Sequence, residues 1–172
     1  MPFRKLVIAV VAFEALGFAA KFYAQTASPT ASPPGPLPTF EDVSKEAGID
    51  FRHSFGETKL SSIMEATGSG CAWVDYDNDG FLDLYVLSGR YMEGVTKFSK
   101  PAGRNATNKL YRNNGDGTFL DVTAKAGVPG KDFGMAVTAG DYDNDGHVDL
   151  YITNYESAVL YRNNGDGTFT DA

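Results

Sequence analysis

Apolar residues in this chain come in short runs, and the runs favour strands. Leu82-Asp-Leu-Tyr-Val-Leu87 and Val148-Asp-Leu-Tyr-Ile-Thr153 are β-branched and aromatic and alternate in part, which suits a half-buried strand. Each is preceded, across a polar loop, by another short run, Cys71–Val74 and Ala136–Ala139. Each is followed by a Leu-Tyr-Arg-Asn segment, Leu110–Asn113 and Leu160–Asn163, and then by Thr-Phe-x-Asp from Thr118 and from Thr168. An Asn-Gly-Asp-Gly turn joins the last two segments in both places. Asn-Gly between such runs is a strong hairpin signal, because the favoured tight turns need φ > 0 at their centre. The pattern predicts four short antiparallel strands, then four more. Gly68-Ser-Gly70 and Gly134-Met-Ala136 lead into the first strand of each set and suit close backbone packing near an axis.

The repetition is literal in places. Leu110-Tyr-Arg-Asn-Asn-Gly-Asp-Gly-Thr-Phe119 recurs unchanged at Leu160–Phe169, 50 residues later. Thr39-Phe-Glu-Asp-Val43 matches Thr118–Val122, and Thr168–Ala172 begins the same pattern again. Glu46–Ile49 matches Lys125–Val128. Four-stranded units repeating at ~50 residues are the mark of β-propeller blades. The expected fold class is therefore all-β, with about two blades over residues 39–172. Propellers close with about 4–8 blades, so the expectation is an incomplete ring from the N-terminal part of a longer protein. Thr39–Val43 reads as an outer strand whose blade partners lie elsewhere.

Two segments precede the repeats. Residues 1–24 resemble a secretory signal, with Arg4 and Lys5 before a mostly apolar stretch from Leu6 to Ala20. That stretch is short against the ~20 residues of a membrane span, and Glu14 interrupts it. An uncleaved anchor is the alternative and would be the chain's one link to a membrane. Residues 25–38 hold five prolines among Ser, Thr and Ala and read as an extended linker. The expected setting is secreted, periplasmic or extracellular.

The polar loop between the first two strands of each unit carries the chemistry. It reads Asp75-Tyr-Asp77-Asn-Asp79-Gly80-Phe81-Leu-Asp83 and Asp141-Tyr-Asp143-Asn-Asp145-Gly146-His147-Val-Asp149. Four carboxylates in nine residues repel one another unless a cation sits among them. Ca²⁺ takes about 6–8 oxygen ligands, and this loop offers oxygen at every other position. The candidate ligands are Asp75, Asp77, Asp79 and Asp83 with the carbonyl of Phe81, and Asp141, Asp143, Asp145 and Asp149 with the carbonyl of His147. Two Ca²⁺ sites are expected. A solvated Asp/Asn/Gly turn is the plain alternative, and the doubling of the motif argues against it. The loop is not an EF-hand: the Glu that closes such a loop is replaced by Val86 and Ile152, and the flanks are strands.

The loops also account for the charge. The chain has a formal net charge of −7, the eight loop Asp contribute −8, and the remainder sums to +1. No basic surface suited to phosphate neutralisation is left over, so nucleic acid is not an expected partner. The lone cysteine, Cys71, falls in a strand run and reads as a small buried apolar residue rather than a nucleophile. His53 has no ligand cluster around it in sequence. Asp116 and Asp166, one per hairpin turn, offer too few oxygens for a metal and read as turn residues. Residues 88–109 form a long, locally basic connection with Arg90, Lys97, Lys100, Arg104 and Lys109, and long loops on repeat scaffolds often bind partners. Asn105-Ala-Thr107 fits an N-glycosylation acceptor.

Together, D-Y-D-N-D-G-x-x-D-L-Y, L-Y-R-N-N-G-D-G-T-F-x-D and A-G-V resemble the FG-GAP/VCBS repeats of integrin-alpha-type β-propellers. The closest variety is that of cartilage-acidic-protein-like proteins with ASPIC/UnbV tails. The resemblance covers roughly residues 39–172. It implies Ca²⁺ in the loop between two strands of a blade, held by the residues named above. It also implies a secreted module that binds an extracellular protein or glycan. The alternative is the non-catalytic propeller part of a longer extracytoplasmic hydrolase or lyase. No nucleophile–base pair is legible in the chain, so an enzyme is not expected.

Overall fold

Alternating apolar residues and tight Asn-Gly turns produce two four-stranded antiparallel meanders. The protein is described by a computed structural model covering residues 39–54, 62–92 and 106–172. The expected signal and linker, residues 1–38, and most of the basic connection, residues 93–105, lie outside the described residues. Among the described residues no helix is long and apolar enough to cross a membrane. The first sheet orders β1 (Cys71–Val74), β2 (Asp83–Val86), β3 (Lys109–Asn113) and β4 (Phe119–Asp121) as consecutive neighbours. The second repeats that order with β5 (Gly134–Gly140), β6 (Asp149–Asn154), β7 (Ala158–Asn163) and β8 (Phe169–Asp171). Equivalent residues pair in register: Leu84 faces Tyr111 as Leu150 faces Tyr161, and Asn113 faces Phe119 as Asn163 faces Phe169.

Both sheets belong to one compact unit, Glu41–Ala172, and share a core. Tyr76, Tyr85, Leu110 and Val128 of the first repeat are buried with Leu150, Ile152, Tyr161 and Phe169 of the second. The Tyr76 and Phe169 rings stack with centroids 6.0 Å apart. The inner strands β1 and β5 lie side by side, and glycine permits the approach. A Cβ on Gly70 would sit 3.2 Å from Ala136 Cα. The bulge at Met135 turns its carbonyl to accept from Gly70 N at 2.9 Å, and Ser69 Oγ donates to Gly134 O at 2.7 Å. These are propeller-type blades, set strand to strand at their inner edges.

Two expectations are corrected. Cys71 is exposed rather than buried, because it shares with Trp73 the face of β1 turned away from the core that Val74 enters. Residues 39–43 form no strand, because a fourth strand needs a third beside it, and no described strand pairs with this segment. Its match to Thr118–Val122 shows up in the turn that follows instead. Asp42 Oδ1 accepts from Ser44 N at 3.0 Å, and Ala47 N then bonds Val43 O at 2.8 Å. In the second copy Asp121 Oδ1 accepts from Thr123 N at 3.0 Å, and a short helix, α1 (Thr123–Ala126), follows. Both turns end on a left-handed glycine, Gly48 with φ 76° and Gly127 with φ 80°. The repeated Ala-Gly pair is thus a helical stop. Ala47 O, at the end of the first turn, accepts from Phe119 N at 2.8 Å.

Candidate metal centre

Each acidic loop closes on itself before any ion is considered. The first loop connects β1 to β2 and the second connects β5 to β6. Its first carboxylate caps the turn: Asp75 accepts from Asp79 N at 3.1 Å and Gly80 N at 3.0 Å. Asp141 repeats this with Asp145 N at 3.0 Å and Gly146 N at 2.9 Å. Asn78 and Asn144 both take φ 58°, a left-handed conformation that Asn tolerates. Gly80 and Gly146 follow at φ 89° and 87°. The nine-residue motif thus encodes one loop conformation, used twice.

The ninth position is the anchor. Asp83 and Asp149 are 0% and 1% exposed. Asp83 accepts from Tyr76 N at 3.1 Å and from Asn113 N at 2.8 Å. Asp149 accepts from Tyr142 N at 3.0 Å and from Asn163 N at 2.7 Å. The carboxylate therefore ties the start of its loop to the end of the third strand.

Oxygen atoms of Asp75, Asp77 and Asp83 lie within 4.8 Å of one another, as do those of Asp141, Asp143 and Asp149. These are the ligand candidates that the fold brings together. The fifth position stands apart from both clusters. Asp79 Oδ1 accepts from Phe81 N at 2.9 Å, and Asp145 Oδ1 accepts from His147 N at 2.9 Å. The side chains of Phe81 and His147 serve as packing. A Cβ on Gly115 would fall 2.8 Å from Phe81 Cζ, and one on Gly165 would fall 2.5 Å from His147 Nε2. The hairpin turn of each blade thus rests on its own acidic loop. Asp116 and Asp166 serve those turns by accepting from Thr118 and Thr168 N at 2.9 and 3.0 Å.

The first cluster is electrostatically incomplete as a bare protein. Asp77 Oδ1 is buried with no hydrogen-bond partner. Burial pushes the Asp77 carboxyl up, and repulsion from Asp79 adds to this against the pull of Arg112. Burial also raises Asp83 to about 6, despite the N–H groups of Asn113 and Tyr76 that favour its charged form. A cation among these oxygens would satisfy the orphan oxygen and reverse both shifts. An all-oxygen, carboxylate-rich donor set suits a hard divalent ion. The residues fit a metal ion. The second cluster differs in its neighbour: Arg162 donates through Nε to Asp143 at 2.7 Å and through Nη2 to Asp145 at 3.1 Å. Its counterpart Arg112 instead reaches Asn114 Oδ1 at 3.4 Å.

Sequence reasoning passed over Asn113 and Asn163 as strand residues. Their signal was the final Asn of Leu-Tyr-Arg-Asn, present in both copies, whose Oδ1 also accepts from the turn glycine, Gly115 N at 2.9 Å and Gly165 N at 3.0 Å. Besides holding Asp83 and Asp149 through their backbone, their side chains brace the loop exit. Asn113 Nδ2 donates to Leu82 O at 3.0 Å, and Asn163 Nδ2 to Val148 O at 3.1 Å.

Four-stranded meanders, each with a carboxylate loop between its first two strands, define a β-propeller-type repeat protein with acidic loops that fit a metal. Comparison with known families agrees: the model of the FG-GAP-like repeat matches residues 102–152 and again 141–172. The chain carries FG-GAP-like repeats over residues 102–172. A stretch of 52 residues is 42% identical to human cartilage acidic protein 1 (Homo sapiens), covering 30% of this chain and 8% of that protein.

Proposed function

We propose that this chain is a calcium-binding β-propeller module that works outside the cytoplasm and presents its blades to a protein or glycan partner. One observation carries the calcium reading: the buried, partnerless oxygen of Asp77 beside the fully buried Asp83. Arg112 offsets the desolvation of Asp77 only in part, desolvated carboxylates are costly, and a hard cation relieves the cost for all of them at once. The ion's role is structural. Its ligands are consumed in holding the loop, and carboxylates neutralised by a cation make poor general bases. The module is accordingly assigned binding rather than catalysis.

An extracellular setting is supported by the FG-GAP-like repeats and by the likeness to a protein named for cartilage. It also fits the signal-like residues 1–24. Calcium modules of that environment bind at about 10⁻⁴–10⁻³ M, and these loops are expected in that range. The deciding experiment is equilibrium dialysis of the full chain against Ca²⁺, with metal content read by atomic spectroscopy. Two ions per chain are expected, with Asp83→Asn and Asp149→Asn each removing one. A folded chain that retains no Ca²⁺ at millimolar concentration would overturn the reading.

A further inference from the structure

The two acidic loops are joined by a buried path, and its central residue is Asn163. In the first loop Tyr76 N donates to Asp83 Oδ2 at 3.1 Å. The carbonyl of the same Tyr76 accepts from Asn163 Nδ2 at 2.7 Å, across the boundary between blades. The backbone N of Asn163 then donates to Asp149 Oδ1 at 2.7 Å. Asp83, Tyr76, Asn163 and Asp149 are all buried. The path therefore runs from the anchoring carboxylate of one loop to that of the other without meeting solvent. Asn163 has no slack in it: the second hydrogen of its amide goes to Val148 O at 3.1 Å, and its Oδ1 accepts from Gly165 N at 3.0 Å.

Asn113 provides the internal comparison. It makes the same three bonds within its own blade, to Asp83, Leu82 and Gly115. Among the described residues it reaches no carbonyl of another blade. The interblade bond is thus a separate function of the Asn, added to its role within the blade. A second, exposed contact runs alongside, where Asn78 Nδ2 lies 3.4 Å from Gly146 O and 3.2 Å from His147 Nδ1. Solvent competes for that contact, and it contributes less.

We infer that Asn163 couples the two cation sites, so that filling either loop tightens the other. The inference rests on the calcium reading given above. An ion in the first loop fixes Asp83 and, through Tyr76 N, the backbone of Tyr76, which carries the carbonyl on its next peptide group. The fixed carbonyl holds the Asn163 amide, and that places Asn163 N against Asp149 before the second ion arrives. The ordering cost of the second site is then met in part by the first ion, which is positive cooperativity without a large movement. Linkage requires the effect to be reciprocal.

The test is a set of Ca²⁺ titrations on the full chain by calorimetry. Asp75→Asn leaves the second loop to be measured alone, and Asp141→Asn leaves the first. The overall two-ion constant of the unaltered chain is expected to exceed the product of those single-loop constants by about fivefold or more, the lower end of measured couplings. In an Asn163→Ala background the excess is expected to vanish, whereas Asn113→Ala weakens the first loop and leaves the excess in place. A purely structural Asn163 would weaken binding without abolishing the excess. If Asn163→Ala does not fold, the comparison of the unaltered chain with the two Asp variants still decides whether the sites are coupled. Two ions binding independently in the unaltered chain would overturn the coupling and leave the calcium reading standing. No ion bound by the folded chain would overturn both.

Discussion

At the scale of single residues, burial decides which carboxylate matters. Asp83 and Asp149 each hold two backbone N–H groups from segments far apart in sequence. Asp83→Ala strands Tyr76 N and Asn113 N in the interior. An unsatisfied buried donor costs about 1–3 kcal/mol, so a loss of at least that size is expected in urea unfolding of the metal-free chain. Asp79→Ala removes a carboxylate outside the tight cluster and is expected to cost less by the same measurement. Glycine supplies a second contrast. Gly115 has φ 77° and lies against the Phe81 ring, whereas nothing stands within 4 Å of a Cβ on Gly140, whose φ is unremarkable. Gly115→Ala is expected to destabilise by about 1–3 kcal/mol through strain at positive φ. Gly140→Ala is expected to leave the unfolding midpoint unchanged or slightly raised.

At the scale of elements, the helical turns at 44–48 and 123–126 are fastened by an Asp-x-Ser and an Asp-x-Thr cap. Thr123 is the busiest of these residues. Its hydroxyl donates to Asp121 Oδ1 at 2.5 Å and accepts from the buried Leu110 N at 2.9 Å, so it ties α1 to β3. Thr123→Val keeps the shape and removes both bonds, and a loss of about 1–2 kcal/mol is expected on thermal or urea unfolding. The same cap sets a pH dependence. Burial works to raise the Asp121 carboxyl, but hydrogen bonds from Lys109 and Thr123 outweigh it and hold the group below its usual 3.8. A depressed acid stabilises the fold above its unfolded pKa, and that stability disappears as pH falls through the folded value. Stability should therefore decline below about pH 4, and Asp121→Asn should flatten that acid limb. An acid limb of the same slope in Asp121→Asn would remove Asp121 from the account.

At the scale of the whole molecule, the parts legible in the sequence were those encoded locally. Strands entering and leaving the acidic loops, and the Asn-Gly hairpins, follow from neighbours a few residues apart, and they fall where the pattern placed them. Thr39–Val43 was misread because its resemblance to Thr118–Val122 lies in the Asp-x-Ser cap and the glycine stop as well as in the strand. A strand also needs a partner that a local pattern does not reveal. The helical turns went unread for a related reason: four residues are too few for a periodicity. The role of Asn163 was out of reach because its partner, Tyr76 O, is 87 residues away. The acidic motif was legible as chemistry, but the separation of Asp79 and Asp145 from the tight clusters required the folded loop.

The proposed cation completes these blades. Ions that bind only the folded chain add stability by mass action, about 2.7 kcal/mol for each site at a hundredfold excess over Kd. The most direct measurement is the unfolding temperature of the full chain in a chelator and again in saturating Ca²⁺, at fixed ionic strength. A rise on the order of 10 °C is predicted from two such sites, reduced by about half in Asp83→Asn. An unfolding temperature that is the same with chelator and with Ca²⁺ would contradict the account.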